Sequence, residues 1–236
     1  MNETTLIILL GSAVSIGFVH TIIGPDHYLP FILLARAREW RLSKVLWITF
    51  GCGVGHVLSS VIIGCIGIAA GIALGRLEMF EGARGSLASW LLIGFGLVYG
   101  VWGLRRGLKG KKHRHLHLHK DWIAHDHTHS HLGEHSHIHG EKGKVTPWVL
   151  FIVFVLGPCE PLIPLLMYPA AQGSWLSVLL VTLAFGGVTV GTMMTVVGLT
   201  SYGLIGVRLG FMERFVHAIA GGIIALSGLS IKVLGI

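Results

Sequence analysis

The chain has 236 residues, of which 53% are hydrophobic and 12% charged, and its mean hydropathy is +0.74. Soluble domains carry about 25% charged residues, so this composition argues against a soluble enzyme and indicates an all-α integral membrane protein. The net charge of +7 arises from clusters of Lys and Arg between long apolar runs. Such clusters are typical of membrane-protein loops, so the expected partner is the lipid bilayer and not a nucleic acid.

Three long runs without Lys, Arg, Asp or Glu predict the first three membrane spans. They cover residues 4–25, 45–75 and 85–104, and a helical span needs about 20 residues. The first run follows Glu3 with no Lys or Arg before it. It therefore lacks the positive region of a cleaved signal peptide and is expected to be retained.

Three further spans are predicted after the polar segment 105–146. The runs without acids or Lys and Arg there cover residues 147–159, 161–207 and 215–231. The second of these is too long for one helix, and the turn-forming residues 171–174 divide it. Its first part joins the run 147–159 across the Gly-Pro break to form the fourth span. The prediction is six transmembrane helices, with three in residues 1–104, a His-rich loop over residues 105–146, and three in residues 147–236.

The distribution of Lys and Arg predicts the side of the membrane on which each loop lies. Six spans put the connections at about 36–44, 105–146 and 206–214 on one side, where they hold 15 of the 18 basic residues. The other side holds Arg76, Arg84 and Lys232. The positive-inside rule then places the His-rich loop in the cytoplasm and both termini outside, in a membrane taken to be the prokaryotic cell (inner) membrane.

The two halves of the chain resemble each other at an offset of 133 residues. Residues 24–27 (Gly-Pro-Asp-His) then lie over residues 157–160 (Gly-Pro-Cys-Glu), and the second and third spans lie over the fifth and sixth. Each half has three spans, and after an odd number of spans the chain is on the opposite side of the membrane. The second half would therefore enter the membrane from the opposite side to the first. We therefore expect two inverted three-helix repeats with broken first helices; the alternative is a coincidence between two Gly-Pro pairs.

The Gly-Pro pairs at 24–25 and 157–158 should interrupt their helices, because proline removes a backbone donor and clashes with the preceding turn. The freed backbone groups need polar partners, so a break beside ionisable residues indicates a cavity and not a lipid-facing kink. His20, Asp26 and His27 accompany the first break. Two imidazoles and a carboxylate suit a borderline divalent metal ion.

Further candidate ligands lie on the second and fourth spans. His56 follows Cys52 by one helical turn, and a polar group within an apolar span needs a reason. A thiolate and a carboxylate stand at the second break. The predicted metal site comprises His20, Asp26, His27, His56, Cys159 and Glu160. Whether Cys52, Cys159 and His217 bind metal stays open, since a buried cysteine can pack as a small hydrophobe and His217 can reach to the interface.

Eleven of the 15 histidines lie between positions 113 and 139, mostly on alternate residues. Imidazoles at this density bind Ni, Co, Zn or Cu, and the lack of one fixed spacing argues against a single structural site. The alternatives are a polar linker or a pH-sensing patch. We expect the loop to collect metal through His113, His115, His117, His119, His125, His127, His129, His131, His135, His137 and His139.

The segment His20-Thr-Ile-Ile-Gly-Pro-Asp26-His27 resembles the first membrane helix of the nickel/cobalt transporter superfamily. The similarity is greatest to its urease-accessory-type branch, which the Gly-Pro-Cys-Glu at 157–160 also fits. Relative to the importer pattern His-Ala-x-Asp-Ala-Asp-His, this chain has one additional residue and lacks the first Asp. The resemblance implies a nickel or cobalt transporter with His20, Asp26, His27 and His56 at the metal site.

These patterns predict a membrane transporter of divalent transition-metal cations, with no resident cofactor and no enzymatic activity. Nickel or cobalt is the favoured substrate, proton coupling is one possible driving force, and a cytoplasmic collecting loop slightly favours efflux. A cytoplasmic metallochaperone is a candidate partner. One alternative is a membrane thiol oxidoreductase of the cytochrome-c-biogenesis type, which needs two cysteines able to meet. Another is an exporter of sulfite-like anions or amino acids, which the carboxylates of Asp26 and Glu160 disfavour.

Overall fold

The computed structural model describes residues 2–108, 113–118, 124–129, 145–204 and 210–234. Within these ranges the regular structure is helical apart from one pair of short strands. The α-helices are α1 (Glu3–Ile23), α2 (Leu29–Ala37), α3 (Leu42–Ala69), α4 (Leu74–Leu108), α5 (Val145–Leu156), α6 (Leu162–Ala171), α7 (Trp175–Gly203) and α8 (Val216–Leu234). Short 3-10 helices cover Pro25–His27 and Gly210–Phe215.

Five helical segments of the described chain are long and apolar enough to cross a membrane. They are α1, α3, α4, α7 and the segment Glu213–Val233, which contains most of α8. The predicted fourth span consists instead of two shorter apolar helices, α5 and α6, of 12 and 10 residues. The chain is therefore a helical protein of membrane-spanning composition, and one of its predicted spans is divided.

Both Gly-Pro pairs interrupt their helices, as the sequence predicts. Gly24 ends α1 in an extended conformation, and its N–H still donates to the His20 carbonyl at 3.1 Å. The chain then forms the 3-10 turn Pro25–His27 before α2 begins. At the second pair, α5 ends at Leu156 and α6 does not begin until Leu162. The missing proline donor explains why the helical hydrogen bonding stops at these two places.

The long helices pack against one another through small residues. α4 lies along α8, α1 and α3 pack on α7, and α5 packs on α3. At the α4–α8 interface a Cβ on Gly221 would lie 2.2 Å from the backbone nitrogen of Gly100, so only glycine permits this approach. Close backbone contact of this kind holds membrane helices together where the hydrophobic effect contributes little.

The prediction that Arg84 lies in a loop at the membrane surface is wrong. It lies in α4, which begins at Leu74 and not at residue 85, and its side chain is buried. Glu81, one turn before it, is fully buried. The uncharged run 85–104 begins only after these two charges. A helix can nevertheless include charged residues when other protein groups pair with them. The second span is correspondingly shorter, because α3 ends at Ala69.

Part of the His-rich segment forms a two-stranded antiparallel ribbon. Strand β1 (His113–Leu118) pairs with β2 (Ala124–His129), so that His115 stands opposite His127. The same register places two further histidine pairs opposite each other, His113 with His129 and His117 with His125. The other histidines of the predicted collecting loop, His119, His131, His135, His137 and His139, lie outside the described residues.

Candidate metal centre

Three imidazoles converge where the first break meets α3. His20 lies in the last turn of α1, His27 in the 3-10 turn after the break, and His56 in the middle of α3. One ring nitrogen from each lies within 4.8 Å of the other two. The break is what makes this possible, because it brings His27 beside His20, with ring centroids 4.8 Å apart. The rings of His27 and His56 are 5.1 Å apart.

Backbone carbonyls determine which nitrogen of each buried ring is free. Nδ1 of His27 lies 3.2 Å from the Gly24 carbonyl oxygen, and Nδ1 of His56 lies 3.2 Å from that of Phe154. A carbonyl can only accept, so in both rings Nδ1 carries the hydrogen and Nε2 keeps its lone pair. Both Nε2 atoms are buried and have no hydrogen-bond partner. This is the tautomer of a metal-binding imidazole whose other nitrogen is held by a carbonyl.

The spacing of the three rings is close to that of a coordinated ion. Two nitrogens that each bind one metal at about 2.1 Å lie at most about 4.2 Å apart. The observed limit of 4.8 Å exceeds this by about 0.6 Å, so the imidazoles would have to move closer together to bind one ion. Imidazole nitrogens are suitable ligands for Ni, Co, Zn and Cu, whereas Mg and Ca prefer oxygen ligands.

Asp26 lies behind His27. Its Oδ1 is 3.2 Å from Nδ1 of His27, and the side chain is 28% exposed. A carboxylate in this position fixes the orientation of a metal-binding imidazole and makes it a stronger donor. Asp26 can therefore support the centre through His27, and its predicted role as a direct ligand stays a prediction.

The two predicted ligands from the second break differ in position. Cys159 is fully buried, and its Sγ lies 3.9 Å from Nε2 of His20. Thiolates often bind a metal ion together with imidazoles, but Cys159 is not part of the group of three converging ligand residues in the described chain. Glu160 is exposed and stands against α4, with its carboxylate beside Gly82. It is not among the three residues whose ligand atoms share a common point in the described chain.

A cavity of about 590 Å³ leads to the imidazole cluster. Its wall includes His20, Asp26 and His27 at one end, and it extends to Glu160 and Lys232, which are exposed. A water molecule occupies about 30 Å³ in the liquid, so the cavity has room for a hydrated ion and its counter-charges. A second cavity of about 30 Å³ touches Asp26 and His56.

Sequence reasoning missed an ion pair beside the centre. Glu81 and Arg84 are buried in α4, bonded to each other and to Ser60 of α3. The signal that could have revealed them is their spacing, because acid and base three residues apart face the same way on a helix. A search for uncharged runs does not use this spacing, because it ends each span at the first charged residue.

The remaining candidates lie apart from the three imidazoles. Cys52 is buried in an apolar cluster with Phe31 and Met193. His217 forms a 2.8 Å hydrogen bond with Tyr99, near the end of α4. Neither belongs to the described group of converging ligand atoms.

Comparison with known proteins adds no relative. The chain matches no protein-family model, no curated protein and no solved structure.

Proposed function

We propose that this protein transports divalent transition-metal cations across a membrane, with nickel or cobalt as the favoured substrate. The observation that carries the proposal is the pair of buried imidazoles, His27 and His56, whose Nε2 atoms lack partners and whose rings lie beside that of His20. Leaving buried polar atoms unpaired costs free energy, and a bound cation removes that cost. The resemblance of residues 20–27 to nickel/cobalt transporters supports the same substrate.

The surroundings of the centre favour a transported ion over a structural one. Structural sites are closed and have four fixed protein ligands. Here His20 is only half-buried, and it lines the cavity that extends to the exposed Glu160. An ion can therefore reach the imidazoles and leave them again without unfolding of the surrounding helices.

An inverted repeat would explain how access alternates. In the proposed arrangement, α1 and α2 correspond to α5 and α6, α3 to α7, and α4 to α8. The packing supports this, because α1 contacts α7 as α5 contacts α3, and α4 pairs with its own equivalent α8. Six spans, with α5 and α6 forming the fourth, would leave both termini outside and the His-rich loop in the cytoplasm. A loop on that side slightly favours efflux, since it would concentrate the ion at the entrance.

The test is reconstitution of the full chain in lipid vesicles, followed by uptake of Ni, Co, Zn, Mn and sulfite with and without a proton gradient. We expect Ni and Co flux, increased by a gradient if protons are exchanged for metal. Sulfite flux without metal flux would favour the anion exporter. Thiol transfer that depends on Cys159 without any metal flux would favour the oxidoreductase.

Substitution of single histidines links the flux to the site. His27→Ala and His56→Ala should each reduce Co flux at least ten-fold, because each removes one imidazole of the cluster. His217→Ala is the matched control, since His217 contacts Tyr99 and lies outside that cluster. Equal loss in all three variants would indicate a general effect on folding and contradict the assignment.

A further inference from the structure

The buried ion pair of Glu81 and Arg84 holds the second helix break. Nη2 of Arg84 donates to the carbonyl oxygens of Val155 at 2.8 Å and Gly157 at 3.4 Å. These groups belong to the end of α5, where carbonyls have no helical partner. The negative end of the helix dipole also lies there, so a guanidinium is favourably placed.

Glu81 binds the other side of the same break. Its Oε2 accepts a hydrogen bond from the backbone N–H of Cys159 at 3.3 Å and from the Ser60 hydroxyl at 3.0 Å. The N–H of Cys159 also lies 3.2 Å from the Ser60 oxygen. The two charges of α4 therefore satisfy backbone groups both before and after the interruption.

Both ends of this network adjoin the candidate metal centre. Phe154, whose carbonyl binds Nδ1 of His56, immediately precedes Val155. Cys159, whose N–H is held by Glu81, directs its Sγ toward His20 at 3.9 Å. A displacement of the break would therefore move the group that orients one imidazole and the thiol that faces another.

The two breaks satisfy their freed groups in different ways. At the first break, the carbonyl of Gly24 is bound by His27, a residue of the metal centre. At the second break, the carbonyls of Val155 and Gly157 are bound by the guanidinium of Arg84, a cation that belongs to the protein. A buried ion pair is weak evidence for stability, since apolar residues of similar volume often replace such pairs without loss. Its contacts here point to a different role.

We propose that Glu81 and Arg84 are positioning residues of the metal centre, which hold the second break so that the Phe154 carbonyl orients His56 and Cys159 faces His20. This inference rests on the proposed function, because it assigns the pair a role in metal binding. Neither side chain touches the ion in this arrangement. Removal of either charge weakens metal binding through the geometry of His56 and Cys159.

The test compares Arg84→Gln and Glu81→Gln with Arg76→Gln. Arg76 is a matched control because it is an exposed arginine of the same helix. The full chain in lipid nanodiscs is titrated with Co²⁺, whose visible absorption spectrum reports ligand type and geometry. His56→Ala, which keeps every loop histidine, supplies the background signal of the loop. Metal-free melting temperatures identify variants that fold.

Arg84→Gln and Glu81→Gln are expected to bind Co²⁺ about 10–100-fold more weakly, as when the support of a metal-bound imidazole is lost. Their Co²⁺ spectra should change, and the KM for Co²⁺ uptake should rise more than the maximal rate falls. Arg84→Lys keeps the charge without the forked donors, so its affinity should be intermediate. Arg76→Gln should match the unmodified protein.

Unchanged affinity and spectrum in a folded Arg84→Gln or Glu81→Gln protein overturn the inference. If neither variant folds, Arg84→Lys and Ser60→Ala decide: weaker Co²⁺ binding in either one supports it, and unchanged binding in both overturns it. The proposed function fails separately, when His56→Ala binds and transports Co²⁺ as well as the unmodified chain. That result also removes the basis of the inference.

Discussion

Gly24 is the residue on which the position of His27 most directly depends. A Cβ at this position would lie 2.4 Å from Nδ1 of His27 and 2.9 Å from Oδ1 of Asp26. The ring would have to rotate and give up its hydrogen bond to the Gly24 carbonyl. We therefore predict that Gly24→Ala weakens Co²⁺ binding by about 10–100-fold, the range found when such a supporting contact is removed. Titration of the full chain in nanodiscs measures the change.

Gly11 provides the control for this substitution. It lies in α1, the helix that Gly24 ends, and a Cβ there would meet no atom within 4 Å. Gly11→Ala should therefore bind Co²⁺ as the unmodified chain does. Equal affinity in the Gly24 and Gly11 variants would show that the position of the His27 ring does not matter for binding.

Local sequence patterns predict some residues of the candidate metal centre but not the contacts that orient them. His20 and His27 flank a Gly-Pro break, and His56 interrupts an apolar run, so local patterns predict all three. The orientation of His56 depends on the Phe154 carbonyl, which is 98 residues away in the chain. No local pattern encodes that contact. Cys159 was predicted from the repeat offset, but its distance from His20 required the packing of α1 against the second break.

At the scale of helices, the pairing of α4 with α8 depends on glycine. A Cβ on Gly221 would lie 2.2 Å from the nitrogen and 2.4 Å from the Cα of Gly100. These are backbone atoms, so the helices would have to separate. We predict that Gly221→Ala lowers the free energy of unfolding by about 1–3 kcal/mol, the usual cost of overpacking. The melting temperature of the purified protein measures the effect.

Substitution of the adjacent Gly222 distinguishes the effect of helix packing on stability from the effect of helix propensity. A Cβ at Gly222 would meet nothing within 4 Å, so Gly222→Ala introduces the same side chain without the collision. Its melting temperature should equal or exceed that of the unmodified chain. A similar loss in both variants would mean that close contact with α4 is not the cause.

Helix boundaries are predictable where proline decides them and not where contacts between side chains do. The two breaks follow from proline chemistry and lie where the sequence predicts. The start of α4 does not, because Glu81 and Arg84 satisfy each other and the neighbouring backbone inside the protein. A hydropathy window treats every charge as exposed to lipid, so it begins the third span at residue 85, about three helical turns after the observed start of α4 at Leu74.

At the scale of the whole molecule, the large cavity is shared between the two halves of the chain. Its wall combines residues of α1 and α4 with residues of the second break and of α8, among them His20, Gly85, Pro158 and Ile231. Any movement of one half against the other would therefore change access to the imidazoles. Packing of this kind cannot be predicted from apolar runs, which specify the spans but not their neighbours.

The role of the His-rich segment can be distinguished from that of the proposed transport site by measuring how flux depends on metal concentration. Replacement of the eleven histidines between 113 and 139 by serine keeps the length of the connection. If the loop only collects ions, this variant should transport Co²⁺ at nearly the unmodified rate when the metal saturates the centre. Flux at low metal concentration should fall, because the loop no longer raises the local concentration of the ion. Loss of flux at every concentration would instead make the loop part of the transport machinery.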